Sequence, residues 1–423
     1  MPDLTPDRNA LWQRQLKRLR GMLSSVLNGN DFYRNKLNRA GIYRPEDIQT
    51  RDDYRLLPFT TKEELSADQM AYPPYGSNLT FPPDHYVRVH QTSGTTGEPL
   101  NWLDTVESWD WFARCWTYVY RGAGVTANDR LFFAFSFGPF IGFWTGHESA
   151  RLMGAMSISG GSMSTIQRLQ AIQDHRVTVL ICTPTYALHL AEVAQAEGFD
   201  IAGGSVQTTI HAGEPGAGLP ATRRRIEQVW GARCYDHAGA TEVGAWGFEC
   251  AFRDGMHINE AEFICEVIDP DTGEQAREGE LVLTNLGRAG MPVIRYRTGD
   301  RVKLNAEICG CGSSFSRLEG GVIGRIDDAL IIRGVNFYPS AIENIVRGFP
   351  EVTEFAVDIY RQREMDDMKI RIELNGGEAG AISDAIGREV RHILGIRASV
   401  QTVPHNTLPR FELKARRFTD HRV

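Results

Sequence analysis

The sequence lacks a long apolar segment, an excess of positive charge and a cationic leader. No apolar run approaches the roughly 20 residues that a membrane-spanning helix needs. Residues 1–7 have neither the cationic nor the apolar region of a signal peptide. The formal net charge is −7, whereas proteins that bind nucleic acid or anionic membranes need a cationic surface. These absences predict a cytoplasmic protein with no nucleic-acid partner and no membrane partner.

Cysteine is present but is not arranged as a disulfide framework. Seven cysteines are spread through 423 residues, an odd number in a chain too long for a small secreted domain. We therefore expect reduced thiols or a metal site. Hydrophobic residues make up 42% and charged residues 23% of the chain, which is typical of a globular protein with a large core and a second domain.

The alternation of short apolar runs with helical patterns indicates the fold class. Residues 131–135 and 177–181 have the composition of buried strands, and residues 184–196 have helical periodicity. This order is typical of βαβ units and predicts an α/β domain with largely parallel sheets. Residues 278–284 predict a strand of a smaller β region, and residues 8–45 predict a helical beginning.

The pattern changes after residue 324. A short strand, a helix, two strands and a second helix follow one another closely, which predicts a small α+β domain. We place the boundary near residues 325–328. The sequence therefore predicts an N-terminal domain of residues 1–325 and a C-terminal domain of residues 326–423.

A loop rich in hydroxyls and glycine occupies residues 91–99. Glycine lets the backbone adopt positive φ and bring N–H groups close to an anion, and the hydroxyls add donors. The residues assigned to phosphate binding are Thr92, Ser93, Gly94, Thr95, Thr96 and Gly97. The lysine and spacing of a Walker A loop are missing, which argues against a P-loop NTPase. Taken alone, the segment fits a phosphate holder and a surface turn equally well.

Three further motifs come in a recognisable order. They are residues 235–242, 296–300 and 324–328, followed by residues 333–336. Their order and separation resemble those of the adenylate-forming enzymes, which include acyl- and aryl-CoA synthetases, peptide-synthetase adenylation domains and luciferase. Residues 32–37 and 334–339 resemble the phenylacetate-coenzyme A ligase branch in particular. The resemblance covers nearly the whole chain and implies a mobile C-terminal domain.

The resemblance implies a role for each motif in acyl-adenylate formation. Glu242 would help to hold Mg²⁺, and Thr241 would contact the α-phosphate of ATP. The loop at residues 92–97 would gather the β- and γ-phosphates. Asp300 would accept hydrogen bonds from the ribose hydroxyls, and Arg325 would reach the phosphates and the ribose. The alternatives are an ordinary turn carboxylate for Asp300 and a surface ion pair for Arg325.

Further positions follow from the same resemblance. Glu214 and Pro215 would form the wall beside adenine, together with Asp236 at the nucleotide. Lys414 would bridge the substrate carboxylate and the α-phosphate, since an ammonium on a flexible stem suits a mobile domain. Asp327 would be the hinge. The CoA-side loop would consist of Gly334, Val335 and Asn336.

A second constellation consists of cysteine and histidine. Cys250 and His257 are followed by Cys309 and Cys311, which flank a single glycine. Three thiolates and one imidazole form a closed tetrahedral set for structural zinc. The spacing is looser than that of a zinc ribbon, so plain reduced thiols remain the alternative.

Aromatic residues follow the predicted strand at residues 131–135. They favour a flat aromatic guest through buried area and edge-to-face contacts. The predicted acyl pocket comprises Phe135, Ser136, Phe137, Phe140, Ile141 and Trp144 on one side and His211, Ala212, Gly213, His237, Ala238 and Gly239 on the other. Half of the aromatic residues could instead be core. Each of the two histidines is either a substrate-orienting group or a structural one.

The sequence therefore predicts an ATP-dependent aryl-carboxylate CoA ligase. A small aromatic carboxylic acid would react with ATP to give acyl-AMP, and the thiol of coenzyme A would then displace AMP. One alternative is an adenylating enzyme that delivers the acyl group to a carrier protein or an amine. The other is a nucleotide-binding protein without catalysis. A homodimeric state is left open.

Overall fold

The computed structural model describes residues 7–92, 99–305, 307–332, 335–362, 365–411 and 416–422. The helices within these residues are α1 Arg8–Gly29, α2 Asp31–Arg39, α3 Arg51–Arg55, α4 Lys62–Ala71, α5 Val106–Gly122, α6 Trp144–Met153, α7 Thr165–Asp174, α8 Pro184–Glu197, α9 Pro220–Trp230, α10 Pro339–Arg347 and α11 Ala379–Leu394. Two 3₁₀ turns cover Pro45–Asp47 and Pro83–His85. No helix of this described part has both the length and the apolar character of a membrane span.

The strands are β1 Tyr86–Gln91, β2 Asn101–Thr105, β3 Arg130–Phe133, β4 Met156–Ser159, β5 Val179–Cys182, β6 Thr208–His211, β7 Arg233–Ala240, β8 Gly244–Phe248, β9 Met256–Ile258, β10 Phe263–Ile268, β11 Glu278–Asn285, β12 Tyr296–Asn305, β13 Arg317–Arg325, β14 Leu330–Ile332, β15 Val335–Phe337, β16 Val352–Gln362, β17 Met365–Leu374, β18 Ala398–Thr402 and β19 Phe418–Asp420. Helices alternate with strands from β3 to β7, as the sequence predicts.

The predicted helical beginning consists of two helices with a break at Asn30. The Asn30 side chain accepts a hydrogen bond from the Tyr33 backbone N–H, so this residue caps α2. Leu16, Leu19 and Leu23 lie on the buried face of α1, because residues three or four apart share one side of a helix. They belong to a core cluster of their own that also contains Ile264 of β10.

One sheet of eleven strands organises the large part of the molecule. Its order is β10-β11-β12-β13-β9-β8-β7-β6-β5-β3-β4. The strands from β7 to β4 are parallel, and the remaining pairs are antiparallel. The predicted smaller β region therefore continues the parallel sheet. Strand β5 is buried along its whole length, as expected for a parallel strand covered on both faces.

The C-terminal part, from β14 onward, contains a two-stranded sheet of β14 and β15 and a four-stranded sheet. The order of the four-stranded sheet is β18-β17-β16-β19. Ile342 of α10, Ile370 of β17 and Ile386 of α11 belong to its separate hydrophobic core. Strand β13 ends at Arg325, and the first buried member of the second core is Ile332. The predicted boundary near residues 325–328 lies in this interval of the sequence and stays a prediction.

Candidate active site

The carboxyl ends of the parallel strands bring most of the predicted site together. In the register of the sheet, Phe133 at the end of β3 pairs with Ser159 of β4 and Ile181 of β5. His211 at the end of β6 pairs with Asp236 of β7. Residues 135–141 and 212–215 follow the ends of β3 and β6, and residues 237–242 form the last part of β7 and the turn after it. Ligands of open α/β sheets bind in the crevice outside the carboxyl ends of the strands.

The turn that carries Thr241 and Glu242 connects β7 to β8. Both side chains are half-buried. The Tyr296 hydroxyl donates a hydrogen bond to Glu242 Oε1 at 3.1 Å, so one carboxylate oxygen is oriented by the motif at residues 296–300. The second oxygen of this carboxylate could coordinate a metal ion, because Mg²⁺ needs only one or two protein carboxylates beside phosphates and water.

Thr92 closes the base of the loop at residues 92–100, which connects β1 to β2. Its backbone N–H donates to the Leu100 carbonyl at 2.9 Å, and its hydroxyl accepts from the Leu100 N–H at 3.0 Å. The hairpin therefore fixes both ends of the loop. The other predicted phosphate-binding residues, Ser93, Gly94, Thr95, Thr96 and Gly97, lie outside the described residues.

Asp300 and Arg325 are paired neighbours on β12 and β13. Arg325 Nη1 lies 3.4 Å from Asp300 Oδ1 and donates to the Thr298 carbonyl at 2.6 Å, and Arg325 Nε donates to Asp327 Oδ1 at 3.0 Å. Gly299 adopts φ +73°, and a Cβ there would lie 2.8 Å from Arg325 Nη2. The glycine of this motif is needed so that the guanidinium can lie across the turn. The predicted hinge, Asp327, is exposed.

Asp236 lies in a small cluster with one arginine and a second carboxyl group. Arg223 Nη2 donates to Glu249 Oε1 at 2.6 Å, and the Asp236 N–H donates to Glu249 Oε2 at 2.7 Å. Burial and then the Glu249 charge raise the pKa of Asp236 above its usual range. A Cβ at Gly218 would lie 2.7 Å from Asp236 Oδ2, so the chain at residue 218 approaches this carboxyl group closely.

Glu214 and Pro215 follow β6. Glu214 is half-buried and Pro215 is exposed. The Thr185 backbone N–H, in the first turn of α8, donates to Glu214 Oε1 at 2.9 Å. This contact fits the preference of a helix N-terminus for a carboxylate. Both residues therefore lie at the same edge of the sheet as Asp236.

Three of the predicted acyl-pocket residues line an open cleft of about 430 Å³. They are Ser136, Phe137 and Trp144. The cleft is also lined by His147, Ser159, Gly161 and Ser162, which the sequence analysis missed. His147 lies one helical turn after Trp144 on α6, Ser159 is the last residue of β4, and Gly161 and Ser162 follow that strand. Helical spacing and the rule for carboxyl strand ends could have found them.

The remaining aromatic residues of the predicted pocket lie beside this cleft. Phe135 and Ile141 are buried in the main core, each 5% exposed, and Phe140 packs against Phe135 with ring centroids 5.3 Å apart. Phe137 adopts φ +48°, which is rare for a bulky residue and marks a constrained position. The expectation that part of the aromatic set is core therefore holds for Phe135, and the aliphatic Ile141 is core as well.

Both predicted pocket histidines are held by backbone carbonyls. His211 donates Nδ1–H to the Cys182 carbonyl at 3.1 Å, and His237 donates Nδ1–H to the Gly247 carbonyl at 2.6 Å. Burial lowers the pKa of each imidazole to about 4, so both are neutral at neutral pH. His237 also packs on Trp116, with ring centroids 4.3 Å apart. These contacts favour the structural alternative for their Nδ1 edges.

The other residues opposite the aromatic side also lie at the sheet edge. Ala212 and Ala238 are half-buried, whereas Gly213 and Gly239 are exposed. On the C-terminal side, Val335 and Asn336 belong to β15, where Asn336 pairs with Ile331 of β14. Gly334 and Lys414 lie outside the described residues.

The cysteine and histidine constellation converges in space. One ligand atom from each of Cys250, His257, Cys309 and Cys311 lies within 4.8 Å of the others. The Cys250 and Cys309 sulfurs are 3.7 Å apart, close to the roughly 3.8 Å separation of two thiolates bound tetrahedrally at about 2.3 Å. His257 donates Nδ1–H to the Phe315 carbonyl at 3.3 Å. Its Nε2 lies 3.5 Å from the Cys311 sulfur.

Comparison with known proteins agrees with this architecture. Residues 42–287 match the AMP-binding enzyme family, and residues 334–422 match the AMP-binding enzyme C-terminal domain. Phenylacetate-coenzyme A ligase of Thermus thermophilus is 32% identical over 100% of this chain and 99% of its own. The same-named ligase of Pseudomonas putida is 31% identical over 100% and 97% of the two chains.

Solved structures give the same result. A 2-hydroxyisobutyryl-CoA ligase in the postadenylation state, in complex with 2-HIB-AMP, is 29% identical and superposes with a TM-score of 0.92 over 99% of this chain and 91% of that chain. The same ligase with 2-HIB-AMP and CoA in its thioesterification state superposes with a TM-score of 0.71 over the same shares. The chain therefore belongs to the AMP-binding enzyme family and is an AMP-forming acid–CoA ligase.

Proposed function

We propose that the acid is a small aromatic carboxylic acid. The observation that carries this proposal is the cleft at the carboxyl edge of the sheet, where Phe137 and Trp144 lie with ring centroids 4.8 Å apart at 72°. Aromatic walls bind a flat guest through buried area and edge contacts. A cleft of this volume lies in the range of small-molecule sites, about 300–1,000 Å³. The naming of the relatives as phenylacetate-coenzyme A ligases supports the same acid class.

A small hydroxy acid is the second candidate. The same cleft is lined by Ser136, Ser159 and Ser162 together with His147, and these groups can donate hydrogen bonds to a hydroxyl substituent. The solved 2-hydroxyisobutyryl-CoA ligase supports this candidate. A ring substituent of an aromatic acid would meet the same polar wall.

In the proposed mechanism the carboxylate of the acid attacks the α-phosphorus of ATP while pyrophosphate leaves. Glu242, oriented by Tyr296, would hold Mg²⁺, which neutralises charge that spreads over the phosphates. Thr241 would contact the α-phosphate, and the loop at residues 92–97 would contact the other two phosphates. Lys414 would bring a positive charge to the carboxylate and the α-phosphate. The chain thus supplies mainly orientation and charge neutralisation.

The nucleoside half of ATP would lie along the strands that follow. Asp300 would accept hydrogen bonds from the ribose hydroxyls. Its contact with Arg325 supports a shared site for ribose and phosphate. Glu214, Pro215 and Asp236 would border the adenine. Their common location at the carboxyl edge of the sheet supports this assignment.

We further propose that residues 326–423 rotate as a unit about Asp327 between the two half-reactions. The higher TM-score for the postadenylation state than for the thioesterification state of one ligase supports two such poses. After rotation the loop of Gly334, Val335 and Asn336 would face the acyl-AMP, where the thiol of coenzyme A attacks. Asp327→Pro should slow the second half-reaction only, because proline fixes φ at the hinge. A mutant with normal overall turnover would move the hinge elsewhere.

The cysteine and histidine cluster is proposed as a structural zinc site. The separation of the Cys250 and Cys309 sulfurs and the carbonyl that holds His257 support it. Purified protein should carry about one zinc per chain, and Cys311→Ser should lose the metal and lower the melting temperature before it lowers specific activity. Metal-free protein prepared without chelator would contradict the site. A cytoplasmic location stays a prediction, supported by seven cysteines of which none forms a disulfide.

The acid is tested directly by incubation with ATP and Mg²⁺ and a panel of acids, with and without coenzyme A. Phenylacetate, benzoate, 2-hydroxyisobutyrate, acetate and octanoate cover the alternatives, and mass spectrometry detects acyl-AMP and acyl-CoA. We expect aryl-AMP without coenzyme A and aryl-CoA with it. Preference for 2-hydroxyisobutyrate would favour the second candidate. Preference for acetate or octanoate over every aryl acid would overturn the proposal.

A further inference from the structure

The turn that carries Thr241 and Glu242 is held from behind by two buried side chains. Arg288 Nη1 donates to the Thr241 carbonyl and, at 3.3 Å, to the Glu242 carbonyl. Asn285 Nδ2 donates to the Val243 carbonyl at 3.2 Å. Both Arg288 and Asn285 are 0% exposed. Three consecutive carbonyls of the turn are therefore satisfied by side chains from the segment at the end of β11.

The Arg288 guanidinium is itself fixed on its other edge. Its Nε donates to Asp104 Oδ1 at 2.7 Å and its Nη2 donates to Asp104 Oδ2 at 2.6 Å, and neither side chain is exposed. The rings of Trp102 and Phe112 lie 5.3 and 5.6 Å from the guanidinium carbon. A bidentate contact combined with ring contacts leaves the planar group little freedom.

Asp104 connects this arrangement to the β1–β2 hairpin. The segment that joins these two strands includes residues 92–97, the predicted phosphate-binding residues, and is called the phosphate loop below. Asp104 lies on β2, the strand that follows the phosphate loop, and 184 residues separate it from Arg288 in the sequence. The pair therefore ties the hairpin that carries the phosphate loop to the turn that carries Thr241 and Glu242. A buried ion pair is weak evidence for a stabilising role, since apolar replacements of both partners are often as stable.

We propose that Asp104, Arg288 and Asn285 are positioning residues for adenylation. They hold the Thr241–Glu242 turn at a fixed distance from β2, and so fix where the metal-binding carboxylate lies relative to the β1–β2 hairpin. This proposal rests on the proposed roles of Thr241 and Glu242. Arginine suits the position because two of its nitrogens donate to one carboxylate while the third donates to two carbonyls. A lysine has a single nitrogen and cannot make this set of contacts. A misplacement of about 1 Å costs on the order of 100-fold in rate.

The test separates positioning from stability with a double variant, Asp104→Leu with Arg288→Met, which removes both charges together. We expect a melting temperature close to that of the native enzyme. The rate of adenylation, measured as released pyrophosphate, should fall about 100-fold. The Mg²⁺ concentration that gives the half-maximal rate should rise. Thioester formation from supplied acyl-AMP should change only a few-fold, because pyrophosphate has already left.

The matched control is Glu266→Leu with Arg295→Met. This bidentate pair is also buried, at 6% exposure for each side chain, but Arg295 holds the carbonyls of Arg55 and Leu57 instead of the active-site turn. It should leave the Mg²⁺ dependence unchanged. If the Asp104/Arg288 double variant fails to fold, Arg288→Lys, which keeps the charge, replaces it, with adenylation and Mg²⁺ dependence expected to change in the same direction.

Glu242→Gln distinguishes failure of this proposal from failure of the proposed function. If Glu242→Gln leaves the Mg²⁺ dependence unchanged, the role assigned to Glu242 is wrong. If Glu242→Gln raises the Mg²⁺ requirement while a folded Asp104/Arg288 or Arg288→Lys variant keeps the native adenylation rate and Mg²⁺ dependence, the positioning role is overturned. An equal loss in both half-reactions would also overturn it, because that result indicates a general structural defect.

Discussion

Arg288 and Arg417 are both buried arginines with a bidentate carboxylate partner, but they differ in what else they bind. Every described partner of Arg288 belongs to the large part, where the eleven-stranded sheet lies. Arg417 donates to both oxygens of Glu354, at 2.6 and 3.1 Å, within the C-terminal part. Its Nη1 lies 3.5 Å from Glu343 Oε1, also in the C-terminal part, and its Nη2 donates in addition to Thr185 Oγ1 of α8 at 3.2 Å, across the two parts.

The contacts of the two arginines differ in whether they cross between the two parts of the molecule. The carboxylate partners of Arg417, Glu354 and Glu343, belong to the same part as Arg417. Separation of the two parts would therefore break one hydrogen bond to a hydroxyl and leave the buried pair with Glu354 intact. Another contact across the parts is a hydrogen bond from Arg225 to the Val352 carbonyl, and Arg410 lies 3.3 Å from Glu192 with both side chains partly exposed. Such contacts are worth about 0–1.5 kcal/mol each. The active-site turn is held by a closed buried pair, whereas the surface that would separate in the proposed rotation is held by weak contacts.

The largest effect should come from Lys414→Ala, because the proposed role of Lys414 is to bring a positive charge to the acid carboxylate and the α-phosphate. Loss of one such charge costs roughly 100- to 1,000-fold in adenylation. Conversion of supplied acyl-AMP to thioester should stay nearly intact, as single-turnover kinetics of both half-reactions would measure. Equal loss in both half-reactions would contradict a role of Lys414 in adenylation alone.

Arg417→Met should destabilise the C-terminal part. It leaves Glu354 buried without one of its partners, and removal of one member of a buried pair costs about 3–5 kcal/mol. Hydrogen exchange of β16 and β17, followed by mass spectrometry, measures this loss. Arg288→Met is the companion variant and should loosen the strands around β2 instead. If either variant loosened both parts equally, the two arginines would not act locally as the comparison requires.

The folding pattern and the site differ in how much the sequence could predict. The parallel strands were predictable because buried parallel strands are continuous apolar runs, and the motif residues were predictable because each motif is local in sequence. The Cys250 and Cys311 cluster was predictable for a related reason, since its side chains have few other uses together. The break of the first helix at Asn30 has a local signal as well, an N-cap residue.

The Asp104–Arg288 pair was not predictable from the sequence. Its two residues lie 184 positions apart, and neither belongs to a motif. Only the tertiary packing of the β1–β2 hairpin against the segment after β11 brings them together. The acyl cleft was predicted only in part, because the backbone conformation within residues 135–137 is not evident from the sequence. Phe137 adopts a positive φ and lines the cleft, whereas Phe135, two residues earlier, is core.

Acid should weaken the C-terminal part through Glu354. Burial raises the pKa of Glu354, but the charges of Arg347 and Arg417 outweigh burial and lower it to about 2. A lowered pKa gives stability that is complete above the usual value of about 4.3 and is lost as the pH falls toward 2. The loss is on the order of 3 kcal/mol. Unfolding of the native protein and Arg417→Met between pH 5 and pH 2 should show a smaller pH step in the variant. Equal steps would assign the effect to other carboxyl groups.

The smallest effect should come from Thr185→Val, which removes only the hydroxyl that Arg417 reaches across the two parts. The free energy of unfolding should change by less than about 1 kcal/mol, because the pair with Glu354 remains. The described pose alone loses a hydrogen bond, so adenylation should fall about 2- to 10-fold while thioester formation stays equal or rises. Thr185→Ser, which keeps the hydroxyl, should restore the native ratio of the two rates. If serine and valine behave alike, the hydroxyl does not bias the pose, and the weak contact at Thr185 is packing alone.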